Sequence, residues 1–287
     1  MKKKRIIYHL GAYCGFYSEF NSMVLAILYC RRHGIDFALY SKDAIFSQGA
    51  GWKDYFLPFC KESHNPIHNR INLRGRKPSG RKNKLLLLAY KSMFPKNILT
   101  FELWETFRNI DHTELSTEET RNLCGEIIKE IYHFNPSVDH KIKTMIDSLN
   151  MQGPYIGFHI RGGDKQFEHQ LLPVDQYISR AERLSDIRQG FVSTDDYRNF
   201  ELLCHKYPKW KFYTLTPPAN QGYDQYTFTT LTLQQRFNEL IIMFASMEAM
   251  CHSELTICTF SSNIGMYLGM RIGNRAVGID MDKWMIW

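Results

Sequence analysis

The stretch Tyr155-Ile-Gly-Phe-His-Ile-Arg-Gly-Gly-Asp-Lys165 joins a short apolar run to a polar glycine turn. The run predicts a buried strand over residues 155–160, and the turn carries a guanidinium, a carboxylate and an ammonium. Side chains alternate between the two faces of a strand, so His159 and Arg161 are expected on the same face. Open α/β sheets bind ligands at the carboxyl ends of their strands, which makes this turn the first candidate site.

The chain beyond this strand alternates short apolar runs with segments of helical spacing. Strands are predicted over residues 155–160, 191–194, 211–213, 255–259 and 276–279. Helices are predicted near residues 174–186, 197–206 and 231–252, and from about residue 263. Such strand–helix alternation is typical of a doubly wound sheet.

The first half opens with a strand–helix–strand unit, which implies a parallel pair of strands. The strands are predicted at 6–10 and 37–40, and the helix between them at 21–33. Residues 63–84 are polar and basic, and we predict a long loop there. Further helices are predicted over residues 83–94, 118–134 and 137–149.

Length and composition suit two domains with apolar cores, since the chain has 287 residues and is 44% apolar. We assign 1–150 to the first domain and 151–287 to the second. The sequence contains no uncharged apolar run of about 18 residues, so no transmembrane helix is predicted. The basic segment Met1–Arg5 is not followed by the long apolar core and the cleavage site of a signal peptide, so no signal peptide is predicted. Seven cysteines, an odd number without regular spacing, favour free thiols and a cytoplasmic location.

The formal charge of +7 is concentrated at Met1–Arg5 and at Arg70–Lys84, which holds seven basic residues. A solvated loop explains the second run, and so does contact with an anionic acceptor, an anionic membrane face or nucleic acid. Aromatic residues do not interleave with the run, so no nucleic-acid partner is expected. The neighbouring Leu85–Leu88 fits a protein core better than a membrane anchor.

Three predicted turns follow strands of the second half, at residues 161–165, 195–196 and 260–263. Parallel strands end at one edge of a sheet, so these turns can converge. Ser261-Ser262-Asn263 offers hydroxyls, an amide and the free N–H groups of a helix start, which favour anions. Ordinary helix capping is the alternative for this segment and for Asp195-Asp196. A forked guanidinium beside glycines suits a diphosphate, so together the turns predict a nucleotide site.

Several segments resemble the α1,6-fucosyltransferase group, which includes the core-glycan and nodulation-factor enzymes. They are Phe158-His-Ile-Arg-Gly-Gly-Asp-Lys165, Leu172-Pro-Val-Asp-Gln-Tyr177, Val192-Ser-Thr-Asp-Asp196, Lys206-Tyr-Pro208 and Cys258-Thr-Phe-Ser-Ser-Asn263, in the family's order. Upstream, 51–58 is similar to the family's Gly-Trp-Glu segment, and 15–30 to its first glycine-rich turn. The resemblance covers most of the chain and is weakest across 60–117.

The resemblance implies an α/β, GT-B architecture of two Rossmann-like domains facing across a cleft. The first domain would serve the acceptor, and the second would bind a nucleotide-sugar donor. The reaction implied is inverting, metal-independent transfer of fucose from GDP-fucose to a glycan hydroxyl, with no cofactor required. Another GDP- or UDP-sugar stays open as the donor. A catalytically inactive nucleotide-sugar-binding protein is the rival from another class, and the oligomeric state is not predicted.

Carried over by position, the resemblance places the donor site on the turns described above. His159 would contact the nucleoside and Arg161 the diphosphate, with Asp164 and Lys165 near the sugar. The donor-binding residues implied are His159, Arg161, Gly162, Gly163, Asp195, Asp196, Ser246, Ser261, Ser262 and Asn263. The catalytic candidates are Arg161, Asp164, Lys165 and Glu168.

Two positions depart from the family. A second arginine usually follows the first, and Gly162 in its place removes one charge and is expected to leave room for another group. The residues that could supply the missing charge are Arg236, Lys165 and Arg271. The family's guanine-reading aspartate corresponds to Ser246, and Glu248 lies about 200° around a helix from it. The base and the sugar of the donor therefore stay open.

Inverting transfer needs a carboxylate to deprotonate the acceptor and a cation or helix N-terminus at the departing diphosphate. We favour Glu168 as the base, with Asp164 as the other nearby candidate. Asp54 and Glu19 are the acidic candidates on the acceptor side. Trp52 has a ring that could stack on a sugar, although a place in the core explains it equally well.

Two other patterns suggest a metal site. Asp280-Met-Asp282 follows a predicted strand, as in metal-dependent glycosyltransferases of another fold, but little chain remains to build that fold. Cys60, His64 and His68 are evenly spaced, yet no fourth ligand is evident. No metal is therefore expected.

Overall fold

The computed structural model describes residues 3–11, 14–162, 172–222 and 224–286. The chain divides into two compact units. Unit 1 runs to Asn135 and includes Ile286, and unit 2 runs from Pro136 to Met285. Each unit contains one parallel sheet. The helix over residues 136–148, which the sequence-based boundary at 150 assigns to the first domain, belongs to unit 2.

Unit 1 has a four-stranded parallel sheet in the order β3-β2-β1-β4. Its strands are β1 (Arg5–His9), β2 (Asp36–Tyr40), β3 (Lys61–Glu62) and β4 (Asn97–Leu99). Its helices are α1 (Phe16–Arg32), α2 (His68–Ile71), α3 (Arg81–Met93), α4 (Trp104–Arg108), α5 (Ile110–Thr113) and α6 (Thr117–Ile131). Strand order reverses between β1 and β4, the position at which such sheets form a crevice.

The core of unit 1 contains α1 and a group of stacked aromatic rings. Most side chains of α1 are buried, so the helix is enclosed and starts earlier than the predicted residue 21. The ring of Trp52 lies 4.1 Å from that of Phe56 and stacks on Phe20. The prediction of one long loop over 63–84 is wrong. This stretch contains α2, whose Ile71 is fully buried, and the first turn of α3.

The four leucines of α3 divide between the core and the surface. Leu86 and Leu87 pack against the cluster that contains Ile7 and Leu99. Leu85 is 57% exposed and Leu88 is 66% exposed. The expectation that Leu85–Leu88 is a core segment is therefore correct for only the middle pair. Within the described part of the chain, no helix combines the length and apolarity that crossing a membrane requires.

Unit 2 has a five-stranded parallel sheet in the order β7-β6-β5-β8-β9. Its strands are β5 (Ile156–Ile160), β6 (Gln189–Thr194), β7 (Lys211–Tyr213), β8 (Leu255–Cys258) and β9 (Ala276–Gly278). Its helices are α7 (Pro136–Ser148), α8 (Val174–Leu184), α9 (Tyr197–Lys206), α10 (Gln225–Thr230), α11 (Leu233–Cys251) and α12 (Asn263–Ile272). The predicted strands and the predicted alternation are confirmed in this unit.

The order of these strands follows from the connections. The chain moves outward through α8 and α9 to β7, then returns through α10 and α11 to place β8 on the other side of β5. All five residues of β5 are buried at the centre of the sheet. Ile156, Phe158 and Ile160 pack with α8 on one face, whereas α11 packs against β5 and β6. The reversal of strand order lies between β5 and β8, where doubly wound sheets bind ligands.

One glycine near this reversal is required by packing. A Cβ at Gly265, in the first turn of α12, would lie 1.9 Å from the carbonyl oxygen of Thr259. That atom belongs to the backbone after β8, so it cannot rotate away. Glycine therefore allows α12 to start directly against the end of β8.

We expect Gly265→Ala to lower the free energy of unfolding by about 3 kcal/mol, because overpacking outweighs the higher helix propensity of alanine. Urea unfolding measures the change. Ile264→Ala removes a half-buried side chain in the same turn without a collision and is the matched control, expected to cost about 1 kcal/mol. A Gly265→Ala protein as stable as the wild type would contradict the packing argument.

Candidate functional site

The turns after β5, β6 and β8 lie at the same edge of the sheet of unit 2. β5 pairs in parallel with β6 on one side and with β8 on the other, so the three carboxyl ends are neighbours. The turns carry the candidate residues at 161–162, 195–196 and 260–263. The convergence that the sequence predicted is therefore present for the described residues.

Asp195 connects the turn after β6 to the turn after β5. Its Oδ1 accepts a hydrogen bond from the backbone N–H of Gly162 at 2.6 Å, and its Oδ2 lies 3.2 Å from Nη1 of Arg161. The Arg161 side chain is 21% exposed, so the ion pair is partly shielded from water. A guanidinium held at a strand end can recognise a phosphate or carboxylate group. The carboxylate of Asp195 positions it there.

Gly162 does not leave room for another group, so that expectation is wrong. A Cβ at this position would lie 3.0 Å from the Cβ of Asp196 and 3.2 Å from Oδ1 of Asp195. Asn199 closes the third side at 3.5 Å. The two aspartates fill the space into which a larger side chain would extend, which explains the glycine in physical terms.

His159 lies in β5, opposite Ser193 of β6, and is only 3% exposed. Burial, and then the positive charge of Arg161, lower its pKa to about 3, so the ring is neutral at physiological pH. Its buried Nδ1 has no hydrogen-bond partner among the described residues. A buried polar atom without a partner is costly, and such atoms mark places where a bound molecule can supply the missing bond.

Asp196 acts as the N-cap of α9. Its carboxylate accepts hydrogen bonds from the backbone N–H of Arg198 at 3.0 Å and from Nε of the same residue at 2.8 Å. The hydrogen bond from the Arg198 side chain holds the pKa of Asp196 below its ordinary value. The capping alternative therefore describes Asp196, whereas Asp195 bridges two strand ends.

The turn after β8 binds an internal carboxylate. Asp280 accepts hydrogen bonds from the backbone N–H groups of Phe260 at 2.8 Å and Ser261 at 3.0 Å, and also from the Ser261 hydroxyl. The anion preference expected of this turn is thus satisfied by the chain itself. Asp280 of the Asp280-Met-Asp282 pattern is therefore engaged in three hydrogen bonds within the chain.

Ser262 and Asn263 form the start of α12. The Ser262 hydroxyl accepts a hydrogen bond from the N–H of Gly265 at 3.0 Å and donates one to the carbonyl of Thr259 at 2.8 Å. Ser262 is therefore an N-cap, and Asn263 is the first residue of the helix. Both lie at the predicted edge, next to the end of β5.

Two further candidates, Ser246 and Arg271, lie on helices of unit 2. Ser246 is buried in α11, the helix that packs against β5 and β6. Arg271 lies in the last turn of α12, roughly 13 Å along the axis from the Ser262 cap. Its Nη2 lies 3.9 Å from Oε1 of Glu248. Burial raises the pKa of Glu248. This position makes Arg271 unsuitable as the missing charge at the strand edge.

Four predicted residues lie outside the described residues. They are Gly163, Asp164, Lys165 and Glu168. Their predicted roles near the sugar and as the base stay predictions.

The acidic candidates of unit 1 are engaged in local structure. Glu19 is fully buried and accepts hydrogen bonds from the N–H groups of Gly11 and Cys14, with Nε of Arg74 3.7 Å away. Asp54 accepts hydrogen bonds from the backbone N–H groups of Gln48 at 2.6 Å and of Ala50 at 3.1 Å. Each carboxylate stabilises a turn next to it.

Trp52 lies in the aromatic core rather than on the surface. It is 1% exposed, and its indole N–H donates to the carbonyl of Leu57 at 2.9 Å. The core alternative therefore describes this residue. Among the described residues, no group of three or more His, Cys, Asp or Glu side chains is arranged to hold a metal ion, and this includes Cys60, His64 and His68.

A second polar cluster, which the sequence reasoning missed, lies at the carboxyl end of β1. His9 is buried, with Nδ1 3.0 Å from the carbonyl of Asn72 and Nε2 2.9 Å from the partly exposed carboxylate of Asp43. A carbonyl can only accept, so Nδ1 carries a proton. Thr100, after β4, accepts from the N–H of His9. The signal in the sequence was a histidine ending a buried strand, as in β5.

The neutral state of His159 predicts a loss of stability in acid. The unfolded chain takes up a proton near the ordinary pKa of 6.5, whereas the folded ring does so only near 3. Stability is therefore complete above about pH 6.5 and falls as the pH drops toward 3. As the pH falls from about 6.5 to 5, this one histidine lowers the free energy of unfolding by about 2 kcal/mol.

His159→Gln removes this contribution. Between about pH 6.5 and pH 5, the unfolding free energy of the variant should therefore fall by about 2 kcal/mol less than that of the wild type. Urea unfolding at both pH values measures the difference. His140→Gln changes an exposed histidine of unit 2 and should keep the wild-type loss. Equal losses in all three proteins would show that His159 is not held neutral by burial.

The sequence matches no protein-family model and no curated protein. Solved structures do match. The fucosyltransferase NodZ from Bradyrhizobium has a TM-score of 0.57 over 93% of this chain and 93% of its own, at 14% identity. A mutant of FUT1 from Arabidopsis thaliana, in complex with GDP, has a TM-score of 0.56 over 96% of this chain and 72% of its own, at 11% identity.

POFUT1 in complex with GDP-fucose has a TM-score of 0.52 over 95% of both chains, at 9% identity. The match thus extends over nearly the whole chain although few residues are shared. The likeness confirms the predicted fold class: this chain has the α/β, GT-B fold of these fucosyltransferases.

Proposed function

We propose that this chain is a glycosyltransferase that transfers a sugar from a nucleotide diphosphate to a glycan hydroxyl. The first candidate for the donor is GDP-fucose. The proposed reaction inverts the configuration at the anomeric carbon of the sugar and requires no metal or other cofactor. Unit 2 is proposed to bind the donor and unit 1 to serve the acceptor. A cytoplasmic location is part of the proposal, supported by seven free cysteines.

The proposal depends mainly on one observation. His159 and Arg161 lie at the carboxyl end of β5, beside the reversal of strand order, in a fold shared with fucosyltransferases. NodZ structures with this fold include one co-crystallised with GDP and one soaked with GDP-fucose. A neutral imidazole and a positioned guanidinium at this edge suit a nucleoside diphosphate.

Arg161 is proposed to stabilise the charge that develops on the departing diphosphate. The guanidinium is always protonated, and Asp195 fixes its direction through the contact at 3.2 Å. The donors at Ser261 are hydrogen-bonded to Asp280, so the turn after β8 can assist only where Asp280 releases them. The proposal therefore assigns the larger share of this charge stabilisation to Arg161.

The proposed reaction is a single displacement. The acceptor oxygen attacks the anomeric carbon, the bond from that carbon to the diphosphate oxygen breaks, and a carboxylate takes the hydroxyl proton. Glu168 is the proposed base. Asp43 of unit 1 is a partly exposed carboxylate held by His9, which supports an acceptor-binding role for that unit.

Nucleotide binding tests the donor site. We expect GDP to raise the melting temperature more than UDP, and Arg161→Ala to weaken GDP binding at least about tenfold, because a charge-assisted contact is lost. Calorimetric titration measures the affinity. Arg188→Ala is the matched control, since Arg188 precedes β6 at the opposite edge of the same sheet. A larger shift with UDP would identify the other donor class, and no shift with any nucleotide would overturn the site.

Donor turnover separates an enzyme from a binding protein. We expect slow release of fucose from GDP-fucose, reduced at least about a hundredfold in Glu168→Gln, because a general base is lost. GDP affinity should remain within about twofold of the wild type. Glu201→Gln alters an exposed carboxylate on α9 and should change neither quantity. Donor binding without any turnover would favour the catalytically inactive alternative.

A further inference from the structure

One face of unit 1 is both basic and apolar. The α3 face, as we name it, consists of the outward side chains Arg81, Lys84, Leu85 and Leu88, with Lys82 beside them. On a helical projection these four outward residues fall within an arc of about 100°. Leu86, Leu87 and Tyr90 point the other way, into the core. The α3 face is therefore the surface side of an anchored helix.

The charge of the segment around this face is uniformly positive. Residues 63–101 contain nine Lys and Arg residues and no Asp or Glu. Arg74 pairs with Glu19, and Lys91 pairs with Glu102. In the described part of the chain, no carboxylate forms an ion pair with Arg81, Lys82 or Lys84. Most of the positive charge faces solvent.

The exposed leucines are unusual in such a charged setting. Leu85 and Leu88 are 57% and 66% exposed, one helical turn apart, and Met93 at the end of α3 is 65% exposed. Solvated basic helices have no need of large aliphatic side chains on their outer face. A surface that combines cations with protruding aliphatic side chains matches the boundary between lipid headgroups and acyl chains.

We propose that the α3 face binds the surface of an anionic lipid bilayer, with Leu85 and Leu88 inserted below the headgroups. The neighbouring cations contact the lipid phosphates and carboxylates. Each Lys or Arg near an anionic leaflet adds to the attraction, and each buried leucine adds an apolar contribution. A polynucleotide would use the cations alone, because it offers no apolar layer for the two leucines. The helix lies along the membrane plane and does not cross it.

Vesicle co-sedimentation tests this proposal with the full chain. We expect the protein to sediment with phosphatidylcholine vesicles that contain phosphatidylserine and to remain in solution with phosphatidylcholine alone. Added salt should release it, because salt screens the electrostatic attraction. Leu88→Ser should weaken binding about tenfold. Arg81→Glu with Lys84→Glu should weaken it at least about tenfold.

Leu123→Ser is the matched control. Leu123 is 40% exposed on α6 of the same unit, but its neighbours one turn away are Glu119 and Glu126, so this change should leave vesicle binding intact. All substituted positions are on the surface, and circular dichroism should show wild-type melting for each variant.

Three outcomes would overturn the proposal. The first is that the protein does not sediment with anionic vesicles, and the second is that Leu88→Ser binds the vesicles as well as the wild type does. The third is that RNA prevents vesicle binding and that the wild type and Leu88→Ser bind this RNA equally well. The last outcome would assign the α3 face to a polyanion. A result of this kind leaves the donor-site proposal untouched, because nucleotide binding is measured without lipid.

Discussion

The carboxylate of Asp195 links the two most polar strand ends of unit 2. This carboxylate accepts a hydrogen bond from the backbone N–H of Gly162 and pairs with Arg161, so these two residues after β5 are held by one side chain. Other features depend on this contact. The fixed cation contributes to the low pKa of His159, and Asp195 and Asp196 together fill the space beside Gly162. Asp195 thus directs the guanidinium and, together with Asp196, limits the size of the residue at position 162.

At three strand ends of this chain, an internal carboxylate accepts hydrogen bonds from the backbone N–H groups that follow the strand. The N–H groups after β1 donate to Glu19, those after β5 to Asp195, and those after β8 to Asp280. Backbone N–H groups at such turns attract anions, and in each case an internal carboxylate satisfies them. The pattern explains why the sequence of these turns favours anion binding. It also means that a diphosphate must compete with these carboxylates or use other donors.

The sequence carried enough periodic signal to predict the strands and helices of unit 2. It also placed His159 and Arg161 on one face, because alternation along a strand is local geometry. It could not show that Asp280 would cap a turn nineteen residues earlier, since such a contact depends on tertiary packing. The same limit applies to Trp52, whose burial results from aromatic partners that lie far apart in the chain. The division of the α3 leucines was also hidden, because four adjacent leucines have no periodicity.

The contrast between two buried histidines supports unit 2 as the donor-binding unit. Both lie at the carboxyl end of the first strand of their sheet, next to a reversal of strand order. His9 has both ring nitrogens engaged, by Asn72 and Asp43, so its polar groups are satisfied within unit 1. His159 has a buried Nδ1 with no partner in the described part of the chain. Since folding rarely leaves such a group unpaired, this difference favours the proposal that unit 2 binds the donor.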